Sequence, residues 1–443
     1  MPAPLVALML ICLPAVLLAD TRSGSDPLSN SEQIVSSADA LLTAIQNPTV
    51  KQIVIGENLG DLPTIRLLPG TSLRGDGKQI TLRFAADVDG IQLTSDNQLL
   101  NLRIETSPAK RAIFNDSTVS DLAQIELKEI TTIGRVQILA RDKVKAGHIE
   151  VNGLDIISAD ATAEIERPHE YGVDVLQGAF TLWNMQPDPT VVISANLLGL
   201  SAGQYGKPVL GSGIFVSGAS DNGGRLAAQH LETRGVYSDG KIAPGTHDQI
   251  SGGVFTVYGA TLELVNNRGP VITYGVNDMA LDNWGTVDRW FAEEKITTLG
   301  PSGIGFVNFG TIGHLRLNAP IETFGLGARG FNVYTGTVDL AEFDRIVTHG
   351  DGAIGVQIAQ PIGRLIVRRG IETFGGTGQS LVKGVLQTLS AIALSIKPGG
   401  SVQTIEIDGG VQTKAKGVAP IELDGSVGTL KIAGGLISGV GNH

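Results

Sequence analysis

The chain of 443 residues contains a single cysteine, Cys12, and only 5% aromatic residues. One cysteine builds neither a disulfide framework nor a thiolate zinc site, so stability has to come from packing. Long basic runs are missing, and the net charge of −11 argues against nucleic acid or an anionic membrane as a partner. After the first twenty residues no apolar stretch is long enough to span a bilayer. Glycine, by contrast, is abundant at 58 residues, and 42% of the chain is hydrophobic. Apolar material for a large core therefore comes with many positions suited to tight turns.

The glycines are ordered. Thr-x-Gly occurs at Thr273/Gly275, Thr298/Gly300, Thr323/Gly325, Thr348/Gly350 and Thr373/Gly375, at a constant interval of 25 residues. An aliphatic residue sits two places before each threonine: Val271, Ile296, Ile321, Ile346 and Ile371. Gly305, Gly330 and Gly355 keep the same step, and Asn283-Trp284-Gly285-Thr286-Val287 returns as Asn308-Phe309-Gly310-Thr311-Ile312. Each unit holds short aliphatic runs separated by turn residues, with no room for a helix of ten residues. That excludes leucine-rich, ankyrin and tetratricopeptide repeats, while a propeller blade needs roughly 40–50 residues. About three short strands per 25 residues make one coil of a parallel β-helix, each strand pairing with its equivalent about 4.8 Å away.

Residues 2–19 form an uncharged apolar run that reads as a secretory signal peptide cut after Ala19, which implies a secreted or periplasmic protein. Residues 20–33 read as a disordered polar leader, and residues 34–443 as one β-helix domain. Ala38, Leu41, Leu42 and Ile45 follow helical spacing behind a serine, which predicts a short helix near 36–46. Beyond it lie Gln52-Ile53-Val54-Ile55 and Pro69-Gly70-Thr71-Ser72-Leu73-Arg74-Gly75. Here the chain resembles the pectin-lyase-like superfamily of right-handed parallel β-helices, in which a short helix caps the first coil ahead of such a strand and turn. The resemblance implies an all-β, right-handed β-helix with an N-terminal cap. It carries over no catalytic residue, since the pectate lyase arginine and W-x-D-H pattern and the polygalacturonase N-T-D, D-D, G-H-G and R-I-K set are not found.

The early coils suggest a step of 26, from Leu102 to Lys128 to Leu154. Gly172-Val173-Asp174-Val175, Gly213-Ile214-Phe215-Val216 and Gly253-Val254-Phe255-Thr256 read as one strand column. Two intervals of 40, Thr233 to Thr273 and Thr373 to Thr413, place insertions near 236–250 and 384–402. Insertions in solenoids are where binding concentrates.

Strand alternation predicts that Leu281, Phe306, Phe331 and Val356 point inward. Ala280, Gly305, Gly330 and Gly355 are then expected to form an outward floor of tiny residues, beside aromatic rings and rimmed by Asp278, Asp282, Arg329, Asn332 and Gln357. Such a surface suits a sugar chain. Asp278 and Asp282 are the preferred acid/base pair, with His247 brought over them by the first insertion. The other expected contacts are Tyr274 and Trp284 for stacking, and Asn277, Arg329, Asn332, Gln357 and Lys383 for orientation. Glu322 and Glu372, two coils apart in one outward column, and the polar group Arg167, His169, Glu170 and Tyr171 are secondary candidates. Gly325-Leu326-Gly327-Ala328-Arg329-Gly330 matches G-x-G-x-x-G, but no helix follows and its glycines belong to the repeat, so a dinucleotide site is rejected. No metal or cofactor pattern is present. The leading functional reading is a carbohydrate-active protein that cleaves or rearranges a polysaccharide as lyase, hydrolase or epimerase. The alternative is a non-catalytic adhesin or tailspike-like structural protein, with homo-oligomers formed through exposed coil edges.

Overall fold

The computed structural model describes residues 31–382 and 385–439, so the expected signal peptide and Lys383 lie outside the described residues. The chain is an all-β parallel β-helix. In the regular region each coil contributes three strands. The first face holds Asp278–Asn283, Ile304–Asn308, Arg329–Val333 and Ile354–Ile358. The second holds Thr286–Ala292, Thr311–Leu317 and Thr337–Phe343, and the third Ile296–Thr298, Ile321–Thr323 and Ile346–Thr348. Every one of these strands pairs in parallel with its equivalent on the next coil, and the threonine landmarks pair with each other from Thr273 to Thr413.

Inside the coils, Leu281, Phe306, Phe331 and Val356 are fully buried, as alternation predicts. Trp290 stacks edge-on against Phe306, and Phe331 packs on Phe343, filling the bore with rings. At the corner after the first face a polar file runs through this apolar interior. Thr256 donates to Asn283 at 2.7 Å, Asn283 donates to Asn308 at 2.8 Å, and Asn308 ends on the Gly310 carbonyl. Identical amides one coil apart satisfy one another, which buried polar groups require.

The helix spans Ala38–Ala44, with Ser37 capping it through the Ala40 amide at 3.2 Å and Leu41 and Ala44 buried against the first coil. Ahead of it, Ser31–Val35 is a strand paired in parallel with Val50–Ile55, which corrects the leader reading for its last three residues. Val35 is buried in the core, and that anchors the strand.

Three further expectations change. The early step is uneven: Leu102 pairs with Ile130 and Ile130 with Leu154. Positive φ values at Asn101, Glu129, Gly153 and Gly199 bend these long strands where the second face becomes the third. The strand below Ile214 is Phe180 of Gly178–Asn184, not Val173. Val173–Val175 belongs instead to a small excursion, where it pairs antiparallel with His169–Glu170. The second insertion is an antiparallel hairpin, Thr377–Val382 with Val385–Ser390, so it begins before residue 384.

The glycine floor is also overturned. A Cβ on Gly305 would lie 2.3 Å from Ile321 Cγ2, and one on Gly330 would lie 2.2 Å from Ile346 Cγ2. Both isoleucines are core residues, so this column faces inward and makes room for the third face. We expect Gly330→Ala to cost about 1–3 kcal/mol by overpacking, whereas Gly60→Ala, with no heavy atom within 4 Å of its new Cβ, stays near neutral. Urea unfolding of the two variants checks this.

Candidate functional site

The outward column of the first face can be followed through nearly the whole chain. From Gln137 it passes through Thr181, Phe215, Phe255, Asp282, Val307 and Asn332 to Gln357, each paired with the next. All of these side chains are buried although they point away from the bore. A second apolar cluster, outside the coils, covers the column. Phe255, Val307, Met279, Ile304 and Trp284 meet Val173, Val175 and Ile250 there, with Tyr171 and Val382 at the margin. The excursions thus roof this face, where the sequence suggests an open, outward binding surface.

Asp278 and Asp282 are both wholly buried and are held in different surroundings. Asp278 accepts hydrogen bonds from Ser251 at 2.7 Å, from the Gly275 amide at 2.6 Å and from the Gly240 amide at 3.3 Å. Burial pushes its carboxyl up to about 7, against these donors. Its role is to clasp the start of the 240–248 loop. Among the described residues, neither Asp282 carboxyl oxygen has a hydrogen-bond partner. Burial drives its carboxyl far above the usual range, and the nearby Trp284 N–H offsets this only in part. The two acids therefore form no pair.

Asn277, with φ 57, donates to the carbonyls of Thr246 and Gln249 and anchors the same loop. His247 is half-buried in a cleft of about 170 Å³ that it shares with Asn277, Leu326, Gln379 and Leu386, apart from Asp282. Tyr274 accepts a hydrogen bond from the Gly206 amide at 3.0 Å and belongs to the third-face side. Arg329 is buried, donates to the Gly327 carbonyl and lies 5.9 Å from the Tyr334 ring. Asn332 and Gln357 are buried beneath the roof rather than on a rim. Glu322 is bonded to Lys295 and His349, which hold its carboxyl low in spite of partial burial, and Glu372 pairs with Arg345. These glutamates are ion-pair partners.

Trp284, with the secondary candidate Tyr171, leads to a larger open site. It belongs to a ring ladder along the corner between first and second faces: Tyr258, Trp284, Phe309 and Tyr334, with successive centroids 6.0, 5.6 and 5.2 Å apart. Tyr171, reaching in from the excursion, stacks on Phe309 at 4.5 Å and meets Trp284 edge-on at 5.1 Å. Beside the rings run Gly259, Gly285, Gly310 and Gly336, then the exposed threonines Thr261, Thr286 and Thr311, which pair in register. Together with Asp221 and Arg225 they line a groove of about 340 Å³. Glycine is required at these steps, because a Cβ on Gly310 would lie 2.0 Å from the Gly285 carbonyl oxygen. Burial, then the negative charges of Asp221, Glu170 and Asp282, raise the Tyr171 phenol.

On the other side of Tyr171 and Phe309 is a small cavity of about 40 Å³, walled by Val173, Ile250, Met279, Ile304, Val307 and Tyr334, with Asp282 as its acidic group. No cluster of three or more metal-ligating side chains occurs among the described residues.

The return of Asn283-Trp284-Gly285 as Asn308-Phe309-Gly310 carried the signal for the ring ladder, and the polar group at 167–171 contained Tyr171. Nothing local in the sequence joins Tyr171 to Phe309, 138 positions away. Comparison of the chain with protein families, with curated proteins and with solved structures finds no match.

Both buried carboxyls bind protons more tightly in the folded chain than in the unfolded one. Folding stability therefore falls as pH rises above the ordinary carboxylate range, up to about pH 7 for Asp278. We expect Asp282→Asn to flatten part of this decline and to match or exceed the wild type in stability at pH 8. Urea midpoints from pH 4 to pH 8 measure it.

Proposed function

We propose that the chain is a carbohydrate-active β-helix protein that takes a stretch of polysaccharide in the corner groove and cleaves or rearranges it. The observation that carries the reading is the groove itself. Stepped glycines admit a ring close to the backbone, aromatic rings offer apolar contact, and a file of threonine hydroxyls with Asp221 and Arg225 supplies directional polar groups. One coil is one strand spacing, so the groove repeats at a short regular interval, which suits a chain of like units. Asp282 is the acid/base group of choice: a carboxyl kept neutral by its surroundings is able to donate a proton near neutral pH. Asp278 is assigned a structural role. Export to the periplasm or cell exterior and the likeness to pectin-lyase-like β-helices belong to the same proposal. The capping helix and the Pro69-Gly70 turn support that likeness.

A structural role is the second reading. In the last described coil, Ser426–Ile432 and Leu436–Gly439 each pair on one side only, and Leu430, Leu436 and Ile437 are exposed. An apolar coil face suits association with another chain.

Incubation with a panel of polysaccharides, following reducing ends and ultraviolet-absorbing unsaturated products, separates the two. The enzyme reading expects product formation that falls at least 100-fold in Asp282→Asn. Phe309→Ala and Arg225→Ala should weaken retention on the same polysaccharide about tenfold, a change of about 1.4 kcal/mol. An unchanged panel, with sedimentation that shifts in Leu436→Lys, favours the structural role.

A further inference from the structure

Asp282 is the feature that the groove leaves unexplained. Among the described residues its two carboxyl oxygens have no hydrogen-bond partner, its side chain is wholly buried, and it lines a cavity whose other walls are largely apolar. Leaving a buried polar group unpaired costs about 1–3 kcal/mol. No stacked neighbour satisfies it as Asn308 satisfies Asn283, because Phe255 and Val307 stand above and below it in the column, and the nearby Trp284 N–H offsets its burial only in part. At about 40 Å³ the cavity is large enough for water and too small for a sugar ring.

Among the described residues, Tyr171 and Phe309 alone line both this cavity and the corner groove. Tyr171 occupies the two-residue turn between His169–Glu170 and Val173–Val175, with φ 54, and Gly172 follows at φ 81. Two successive positive φ values are the mark of a tight hairpin turn, where glycine or asparagine is the usual first residue. A tyrosine held there against its backbone preference places the ring at the hairpin tip and over the cavity. The hairpin is joined to the coils through its second strand, by Asp174 to Asp248 and Leu176 to Ile250. Among the described residues its first strand pairs only with the second. At the tip the ties are ring contacts, the Tyr171 hydroxyl on Thr335, and the Tyr258 hydroxyl on the His169 backbone.

We propose that the cavity at Asp282 is the closed inner subsite of the corner groove, opened when the Tyr171 hairpin lifts, and that it takes a hydroxyl-bearing sugar ring whose hydroxyls pair with the Asp282 carboxyl. The proposal rests on the glycan reading of the groove. Lifting Tyr171 joins the two spaces, uncovers the Phe309 face for the ring, and supplies the unsatisfied oxygens with donors. Closure behind the ring removes water from the carboxyl, which is the condition for acid/base chemistry by a group of this kind.

Because Cys12 is the only cysteine, a Cys12→Ser background makes a single introduced thiol report on its own site. Asp282→Cys and Ala280→Cys are compared, the second directed into the core, using the rate of reaction with a disulfide reagent such as DTNB in native buffer. The thiol at 282 is expected to react at least tenfold faster than that at 280, with little dependence on dilute urea, and a further tenfold faster when Tyr171→Ala is added. Equal rates at the two positions, or a rate at 282 that follows global unfolding in urea, overturns the lifting hairpin without reference to any ligand. The urea dependence is read on the intact hairpin, so the test survives a Tyr171→Ala chain that folds poorly. Cellohexaose, chitohexaose and laminarihexaose then serve as probes. An oligosaccharide retained by the protein should slow labelling at 282 at least fivefold. Retention with unchanged labelling removes the inner subsite and leaves the groove reading standing. Fast labelling at 282 with none of the three retained removes the glycan reading, and the sugar subsite with it, while leaving the hairpin motion.

Discussion

Stacking of each coil on the next at backbone hydrogen-bond distance is the constraint on which the rest of this structure depends. It fixes what each column of equivalent residues is allowed to be. Where a corner brings a Cα within reach of the carbonyl below, only glycine fits: a Cβ on Gly300 would lie 1.8 Å from the Gly275 oxygen. Where amides stack, as at Asn283 and Asn308, each supplies the partner the other needs. Where threonines stack on the third face, their side chains are buried from Thr273 to Thr413. The period visible in the sequence is the imprint of this contact.

The same constraint explains why much of the architecture was legible and the site was not. Coil length, the capping helix, the inward phenylalanines and the asparagine file are properties of residues 25 apart or closer, and the repeat exposes them. The face given to Gly305, Gly330 and Gly355 was wrong because strict alternation fails at a corner, where Ala280 and Leu281 are both buried in the bore. What covers the outward column depends on excursions that have left the repeat. Val173–Val175 mimics a coil strand in pattern yet lies on the outside, since its aliphatic residues meet Phe255 and Ile250 rather than the bore. Apolar residues on both sides of a strand look the same in sequence whether the second side faces core or roof.

A roofed face also changes what buried polar groups mean. Asp278 lies under the first insertion with donors on several sides, so its burial is local architecture. Asn277 does the same work from the next position back, tying the 240–248 loop by two carbonyls. These residues were attractive as chemistry because they are polar, clustered and on the repeat. The structure uses that polarity to hold a loop that has no coil of its own to pair with.

Asp282 differs from them in kind. Residues in a ladder normally gain from their equivalents above and below, and Phe255 and Val307 give a carboxyl nothing but burial. A serine or an asparagine in this place would carry less cost, and an aliphatic residue none. A carboxyl that neither adjacent coil of its column satisfies, and that the Trp284 N–H offsets only in part, marks a position where the packing serves something other than packing. Among the described residues, the wall of its cavity that is not part of the stacked coils or their anchored cover is the ring of Tyr171, mounted on a turn tied to the coils mainly from one side. Rigid coils beneath and a lightly tied tip above divide the site into a part that sets geometry and a part able to move, and the unsatisfied acid sits on the boundary between them.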